Sequence, residues 1–136
     1  MTDSAHAVFL SYASEDEASA TRIAAALRAA GVLVWFDRHE LRGGDAWDQR
    51  IREQIRECRL FVPIVSASTE ARSEGYFRRE WKLAADRTHD MSDRIAFLLP
   101  VVIDETSESR ADVPDAFRNV HWTRLRDSQS TEALVE

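Results

Sequence analysis

Ala7-Val8-Phe9-Leu10-Ser11-Tyr12-Ala13-Ser14-Glu15-Asp16-Glu17 passes from a short apolar run into a polar stretch of the form Ser-x-x-Glu, and this transition sets the class of fold. The run from Ala7 to Tyr12 reads as a strand, and Ser14 with Glu17 has the spacing of a capping box that opens a helix. On that helix Ala20, Ile23, Leu27 and Ala30 share one face, and Gly31 stands where a left-handed residue closes a helix. A strand that leads directly into an amphipathic helix is the unit of alternating α/β folds.

The same unit recurs on the C-terminal side. Val32-Leu33-Val34-Trp35-Phe36 shows no polar alternation, as expected of a parallel strand covered on both faces. The loop from Asp37 to Gly44 then leads to Asp45, an expected N-cap, and to a helix with Trp47, Ile51, Ile55 and Cys58 turned inward. Leu60-Phe61-Val62-Pro63-Ile64-Val65 is a third strand, in which Pro63 argues for an edge or a bulge because it cannot donate to a ladder. After a polar stretch from Ser66 to Arg72, a helix from about Ser73 to Arg87 carries Phe77, Trp81 and Ala84 on its apolar side. Ala96 to Ile103, with Pro100 inside it, is a fourth strand, and Asn119 to Thr123 a short fifth after the acidic loop Asp104 to Asp115. A helical period opens again at residues 131–136, which suggests a module of a longer protein. Five such strands alternating with helices predict a three-layer α/β sandwich with right-handed crossovers, whose strand order the pattern leaves open.

The 136 residues fit one domain, residues 1–136, large enough to bury about two thirds of the unfolded surface. A net charge of −6 and a pI near 5.2 exclude a sequence-independent nucleic-acid binder, which needs a basic footprint. Basic groups do cluster at Arg50, Arg52, Arg56 and Arg59, and at Arg78, Arg79 and Lys82. Each cluster is interleaved with acids, as on a solvated helix face. The single cysteine, Cys58, has no partner for a disulfide or a thiolate metal site and reads as a small core residue. No metal or cofactor is expected. The N-terminus lacks the basic and apolar regions of a secretory signal, and the longest apolar run, Ile95 to Ile103, is far short of the roughly 20 residues that span a bilayer. The expectation is a soluble, cytoplasmic chain with no membrane partner.

Glu80 lies one helical turn after Tyr76, near the start of the helix that follows the third strand. In open parallel sheets the ligand crevice lies beyond the carboxyl ends of the strands, so a carboxylate here can face a bound substrate. Helical spacing alone does not separate it from the solvated glutamates that most helices carry.

These segments, in this order, resemble the Toll/interleukin-1 receptor (TIR) domains of the bacterial type. Val8-Phe9-Leu10-Ser11-Tyr12-Ala13-Ser14-Glu15-Asp16 resembles the family's first box. Val34-Trp35-Phe36-Asp37 with Leu41 and Gly44 is similar to its second strand and BB loop. Leu60 to Ser66 is similar to its third strand ending in serine, Tyr76 to Glu80 to its aromatic-x-x-x-Glu signature, Phe97 to Ile103 to its fourth strand, and Trp122 to its late aromatic box. The resemblance implies a flavodoxin-like five-stranded parallel sheet of order 2-1-3-4-5. It also implies two occupations, assembly through TIR–TIR contacts and cleavage of NAD+ at the nicotinamide–ribose bond by members that carry the glutamate. Two departures stand out: Tyr76 replaces the more frequent Trp, and Ala13 and Ser14 stand where some animal members carry arginines, a role left to Arg38 or Arg42.

On that resemblance Glu80 is the expected catalytic residue, and NAD+ enters as substrate and not as cofactor. Ser11, Tyr12, Ala13, Phe36, Leu41, Gly44, Ser66 and Tyr76 are the expected substrate contacts. Arg38, His39, Glu40, Arg42, Gly43 and Asp45 form the expected oligomer loop. Tyr76 serves either as a stacking face or as a boundary aromatic, Ser66 as a substrate contact or as a strand-end hydrogen-bonding residue, and Gly43-Gly44 as a mobile loop or as a tight turn. Because nicotinamide leaves as a neutral molecule, no general acid is needed. One carboxylate then suffices to oppose the charge that grows on the ribose, whereas ordinary glycosidases need two. The expected activity is NAD+ glycohydrolysis to nicotinamide and ADP-ribose or a cyclic product, switched on by self-assembly, in a defence or signalling effector with a fused or separate sensor. The alternative is a non-catalytic TIR–TIR interaction domain. A phospho-accepting receiver is excluded by Ser66 in place of an aspartate after the third strand, and no GxGxxG or P-loop glycine pattern is present.

Overall fold

β1, Val8–Ser11, is buried along its length and pairs in parallel on both sides, with β2, Val34–Trp35, and with β3, Leu60–Val65. β3 pairs in parallel with β4, Val101–Val102, and β4 with β5, Thr123–Arg124. The strand order is therefore β2-β1-β3-β4-β5, the flavodoxin-like order expected. The structure is a computed structural model that describes residues 7–35, 45–92 and 96–125, without the side chains of residues 45–48. The expectations for Phe36 and the loop 37–44, for the Trp47 side chain and for the terminal helix over 131–136 lie outside the described residues.

Alternation along β1 divides the core into two layers. Val8, Leu10 and Tyr12 pack against Ala20, Ile23, Ala24 and Leu27 of α1, Glu17–Ala29. Phe9 and Ala13 point the other way, into a core shared with α2, Asp45–Glu57, α4, Tyr76–Thr88, and the short α5, Asp115–Arg118. That second core is aromatic: Phe9 stacks on Trp35 and Phe61 at 5.0 and 5.3 Å, and Trp81 meets Phe77 and Phe117 at 5.1 and 5.6 Å. Cys58 is buried just beyond α2, as expected of a core residue, and burial pushes its thiol up to about 12 despite the opposing Arg87 guanidinium.

Several local expectations are corrected. Pro63 lies in the central strand and not at an edge or bulge. Phe61 donates to the Phe97 carbonyl and accepts from the Leu99 N–H, so alternate residues of β3, Pro63 included, face β4. The β3–β4 pairing lapses between the Phe61–Leu98 bridge and the Ile64–Val101 pair, then resumes in unchanged register, which sets Pro63 opposite Pro100. Pro63 brings no N–H to that gap, while Pro100 turns to the other side, where its carbonyl accepts from the Thr123 N–H at 2.9 Å. β2 is not covered on both faces. It is an edge strand, half-buried, with Leu33 beside it 42% exposed.

The helix starts differ too. Ser14–Asp16 forms a 3₁₀ turn and the Ser14 hydroxyl makes no capping bond, so the expected box is not built. The capping box is instead at Ser66, whose hydroxyl accepts from the Thr69 N–H while Thr69 Oγ1 accepts from the Ser66 N–H; it opens α3, Ala67–Ala71, inside the stretch read as polar loop. Gly31 does take the left-handed conformation after α1, with φ of 88°, and Ala30 is exposed. The fifth strand begins at Thr123, because Asn119 closes α5. At the start of α4 a side chain on Gly75 would place its Cβ 2.8 Å from the Phe77 ring, so only glycine lets the chain pass this close.

Two arginines bind the layers together. Arg78, read from the sequence as part of a solvated face, is half-buried, donates to the carbonyls of Thr69, Arg72 and Asp112, and lies 5.1 Å over the Trp81 ring. Arg87 donates to the carbonyls of Ile55 and Cys58 at 2.8 and 2.7 Å, closing α2, with its guanidinium 4.3 Å over the Phe97 ring. Removing these charged donors leaves two carbonyls unsatisfied, so Arg87→Ala is expected to cost about 2–3 kcal/mol in chemical denaturation. Among the described residues no helix is long and apolar enough to cross a membrane, and no three His, Cys, Asp or Glu side chains converge as a metal site.

Candidate active site

Glu80 falls on the apolar stripe of α4. Phe77, Glu80, Trp81 and Ala84, spaced three, four and seven residues apart, are the buried residues of this helix, and Glu80 is 1% exposed. An ionisable group at such a position loses its hydration and needs a hydrogen-bonding partner. Ser11 supplies one: its hydroxyl donates to Glu80 Oε1 at 2.7 Å, with both side chains buried. The contact is a product of parity. Phe9, Ser11 and Ala13 project from the β1 face that α4 covers, and Ser11 is the last residue of the strand, so its hydroxyl sits at the carboxyl edge of the sheet.

The neighbouring strands end at the same edge. Ser66 follows β3, is buried, and besides capping α3 donates to Asp16 Oδ2 at 2.5 Å. Beyond β4, the Asp104 carboxylate accepts from the Ala67 N–H at 2.8 Å and from the N–H and hydroxyl of Thr106 at 3.0 and 2.6 Å. The two aspartates are tuned in opposite directions. Burial raises the Asp16 carboxyl, helped by repulsion from Asp104 and Glu15 and only partly offset by bonds from Ser66 and Ser68. Burial also acts to raise Asp104, but the donors at Ala67 and Thr106, with the positive Arg124, outweigh it and hold this carboxyl below the ordinary value.

The sign of each stability effect follows. Ionised Asp16 costs folding stability above its raised folded-state value, a cost that disappears once both states are protonated below the ordinary value of 3.8. Asp16→Asn keeps an oxygen for the Ser66 hydroxyl, so it is expected to raise Tm at pH 7, and the gain should shrink to nothing as pH falls below about 4. Asp104, being depressed, contributes stability above 3.8 that is lost as pH falls through its folded value, so Asp104→Ala is expected to lower Tm at pH 7 and least at acid pH. Thermal melts of the variants against pH check both.

The remaining expected site residues divide into three groups. Tyr12 is buried, and its ring packs in the α1-side core. Ala13 is buried beneath α4 and its carbonyl accepts from the Asp16 N–H. Tyr76 is half-buried one turn before Glu80, and the Arg79 guanidinium lies 5.9 Å over its ring. Phe36, Leu41 and Gly44, and the loop residues Arg38, His39, Glu40, Arg42 and Gly43, lie outside the described residues; Asp45 opens α2. Asp16 and Asp104 were not singled out from the sequence, although Asp104 directly follows the fourth strand, the position from which a crevice is lined.

An open cavity of about 700 Å³ lies at the opposite, amino edge of the sheet, among Met91, Phe97, Leu98, Val120 and His121. It shares no residue with the Ser11–Glu80 cluster and carries no buried titratable group.

The chain is similar to the NAD(+) hydrolase PdTIR of Paracoccus denitrificans strain Pd 1222, with 34% identity over 77 residues. The matched segment is 56% of this chain but 23% of that protein, so this chain spans about a quarter of its length. Among solved structures, a metazoan TIR-STING receptor from C. gigas in complex with 2',3'-cGAMP superposes with a TM-score of 0.72 at 17% identity, covering 99% of this chain and 40% of that one. The TIR domains of the activated Roq1 resistosome superpose with a TM-score of 0.59 at 23% identity, covering 73% and 58%. At these identities the structural likeness bears on the fold alone. A family model described as the TIR domain matches residues 8–136, and the chain belongs to the TIR domain family.

Proposed function

We propose that this chain is an NAD+ glycohydrolase module in which Glu80 is the catalytic carboxylate. The observation that carries the reading is a fully buried glutamate in an otherwise apolar helix stripe, held from the carboxyl end of β1. A buried carboxylate lowers stability relative to a packed apolar residue, so its presence at the crevice edge points to use and not to packing. The similarity to an NAD(+) hydrolase supports the choice of substrate.

In the reaction the bond between ribose C1′ and the pyridinium nitrogen breaks, and its electron pair neutralises the departing nicotinamide. Glu80 accepts hydrogen bonds from ribose hydroxyls and opposes the positive charge left on the sugar. Water then adds at C1′ and loses a proton to give ADP-ribose, or a group of the adenine end adds instead to give a cyclic product. No second carboxyl acid is required, because the leaving group departs without being protonated.

With Glu80 1% exposed, the site as described is closed, and NAD+ reaches the carboxylate only when the carboxyl edge opens. The proposal assigns that opening to assembly of several copies through TIR–TIR contacts, driven by a fused or separate sensor in a cytoplasmic defence or signalling effector. The test is incubation of the protein with NAD+ across a wide concentration range, with nicotinamide followed by chromatography. Release that rises more steeply than protein concentration is expected. No release at any concentration, including from copies fused to a forced oligomer, would overturn the enzyme reading. The closed site is also what favours the second reading, an interaction domain without catalysis, and the same experiment decides between them.

A further inference from the structure

We propose that Ser11 is a positioning residue for Glu80: its hydroxyl fixes the carboxylate against the end of β1 so that the group is aimed before substrate arrives. This rests on the reading of Glu80 as the catalytic carboxylate. A serine hydroxyl has a single proton to donate, and here it is given to Glu80 Oε1 at 2.7 Å. A hydroxyl so engaged has no second proton for a ribose or phosphate oxygen.

The mounting is rigid on both sides. Ser11 ends an interior strand bonded to neighbours on each side, in register with Pro63 of β3, whose ring fixes its own backbone. Glu80 is anchored by its neighbours on the stripe, Phe77 and Trp81, both buried and in edge contact with each other at 5.1 Å. Between these two fixed points a glutamate side chain has three rotatable bonds, and the 2.7 Å bond restrains its carboxylate end. Ser11 and Glu80 are 69 residues apart, so the bond also sets α4 against β1 at the edge where reaction would occur. A carboxylate displaced by about an ångström loses much of its effect on a reacting centre.

The experiment combines a spectroscopic and a kinetic readout on the whole chain, with Ser11→Ala, Ser11→Thr and Glu80→Gln compared with wild type. In protein carrying ¹³C at glutamate side-chain carboxyls, the Glu80 resonance is the one missing from E80Q. It is expected to move in S11A and to stay near its wild-type position in S11T, which keeps the donor. In NAD+ cleavage S11A is expected to lower kcat about ten- to a hundredfold, the range of one hydrogen bond to a charged group, with KM changed less than twofold, and S11T to recover most of the loss. If the added methyl of S11T prevents folding, Ser11→Cys, a weak donor, is expected to give an intermediate kcat. A Glu80 resonance unmoved in S11A, or a loss confined to KM, overturns the positioning role even while E80Q is inactive. Full activity of E80Q overturns the reading of Glu80 itself, and the positioning role with it, whatever the resonance does.

Discussion

Glu80→Gln is expected to slow nicotinamide release by about 10²–10³-fold while leaving the fold intact, a loss of the size seen when one preorganised electrostatic group is removed from a reaction centre. Glutamine matches glutamate in length and keeps an oxygen for the Ser11 hydroxyl, so the contact from β1 to α4 survives in geometry. What is lost is the negative charge that opposes the cationic ribose. Because the Gln side chain is neutral, it is also easier to bury, and the Tm of E80Q is expected to equal or exceed that of wild type. A rise in stability together with a collapse in activity is the pattern of a residue kept for chemistry. Glu80→Ala is a poorer test, since it removes the carboxylate and leaves the Ser11 hydroxyl unpaired in the core.

Trp81→Ala is expected to produce the largest loss of stability in this chain, about 3–5 kcal/mol. Trp81 is fully buried at the centre of the aromatic core, between Phe77 and Phe117, with the Arg78 guanidinium above its ring. Its indole N–H has no partner among the described residues, so truncation costs packing and cavity formation and not a hydrogen bond. Against a domain stability of about 5–15 kcal/mol this is a large fraction, and Tm should fall by about 10–15 °C. Trp81→Phe, which keeps a ring, should recover most of it. Activity is expected to fall with folded fraction in Trp81→Ala, because Glu80 is the adjacent residue on the same helix turn. Thermal and urea unfolding measure the first effect, and cleavage at a temperature well below the lowered Tm separates it from the second.

Much of the fold is legible in the sequence. The continuous apolar runs of β1 and β3 mark buried strands, the stripe Phe77, Trp81 and Ala84 has the period of a helix, and Gly31 closed α1 as its position required. Strand order came from the resemblance, since no periodic pattern encodes it. Local chemistry misled where a distant contact decided the outcome. The Ser14 to Glu17 spacing fits a capping box, yet the chain there winds into a 3₁₀ turn and the Asp16 carboxyl is engaged by Ser66, 50 residues away. The box that does form uses Thr69 in the place usually searched for Glu or Gln, so α3 passed as loop. Pro63 is tolerated in the central strand because the β3–β4 ladder lapses at its position, a gap that no local pattern encodes.

The candidate site was half legible. Glu80 could be placed near the carboxyl edge by counting along the chain, but helical spacing does not separate it from a solvated glutamate, and its burial beside Phe77 and Trp81 shows only in the fold. The resemblance makes Ser11 a substrate contact, and its place on the face that α4 covers shows only in the fold. That the two meet depends on how α4 crosses β1, which only the folded chain supplies.

The measurement that bears most directly on this account is the rate of nicotinamide release from saturating NAD+ by the chain held in a forced oligomer, set beside E80Q in the same oligomer and shown folded by its melt. The account predicts release by the first and a rate at least a hundredfold lower for the second. Equal rates for the two, or the absence of release from the first, would contradict it.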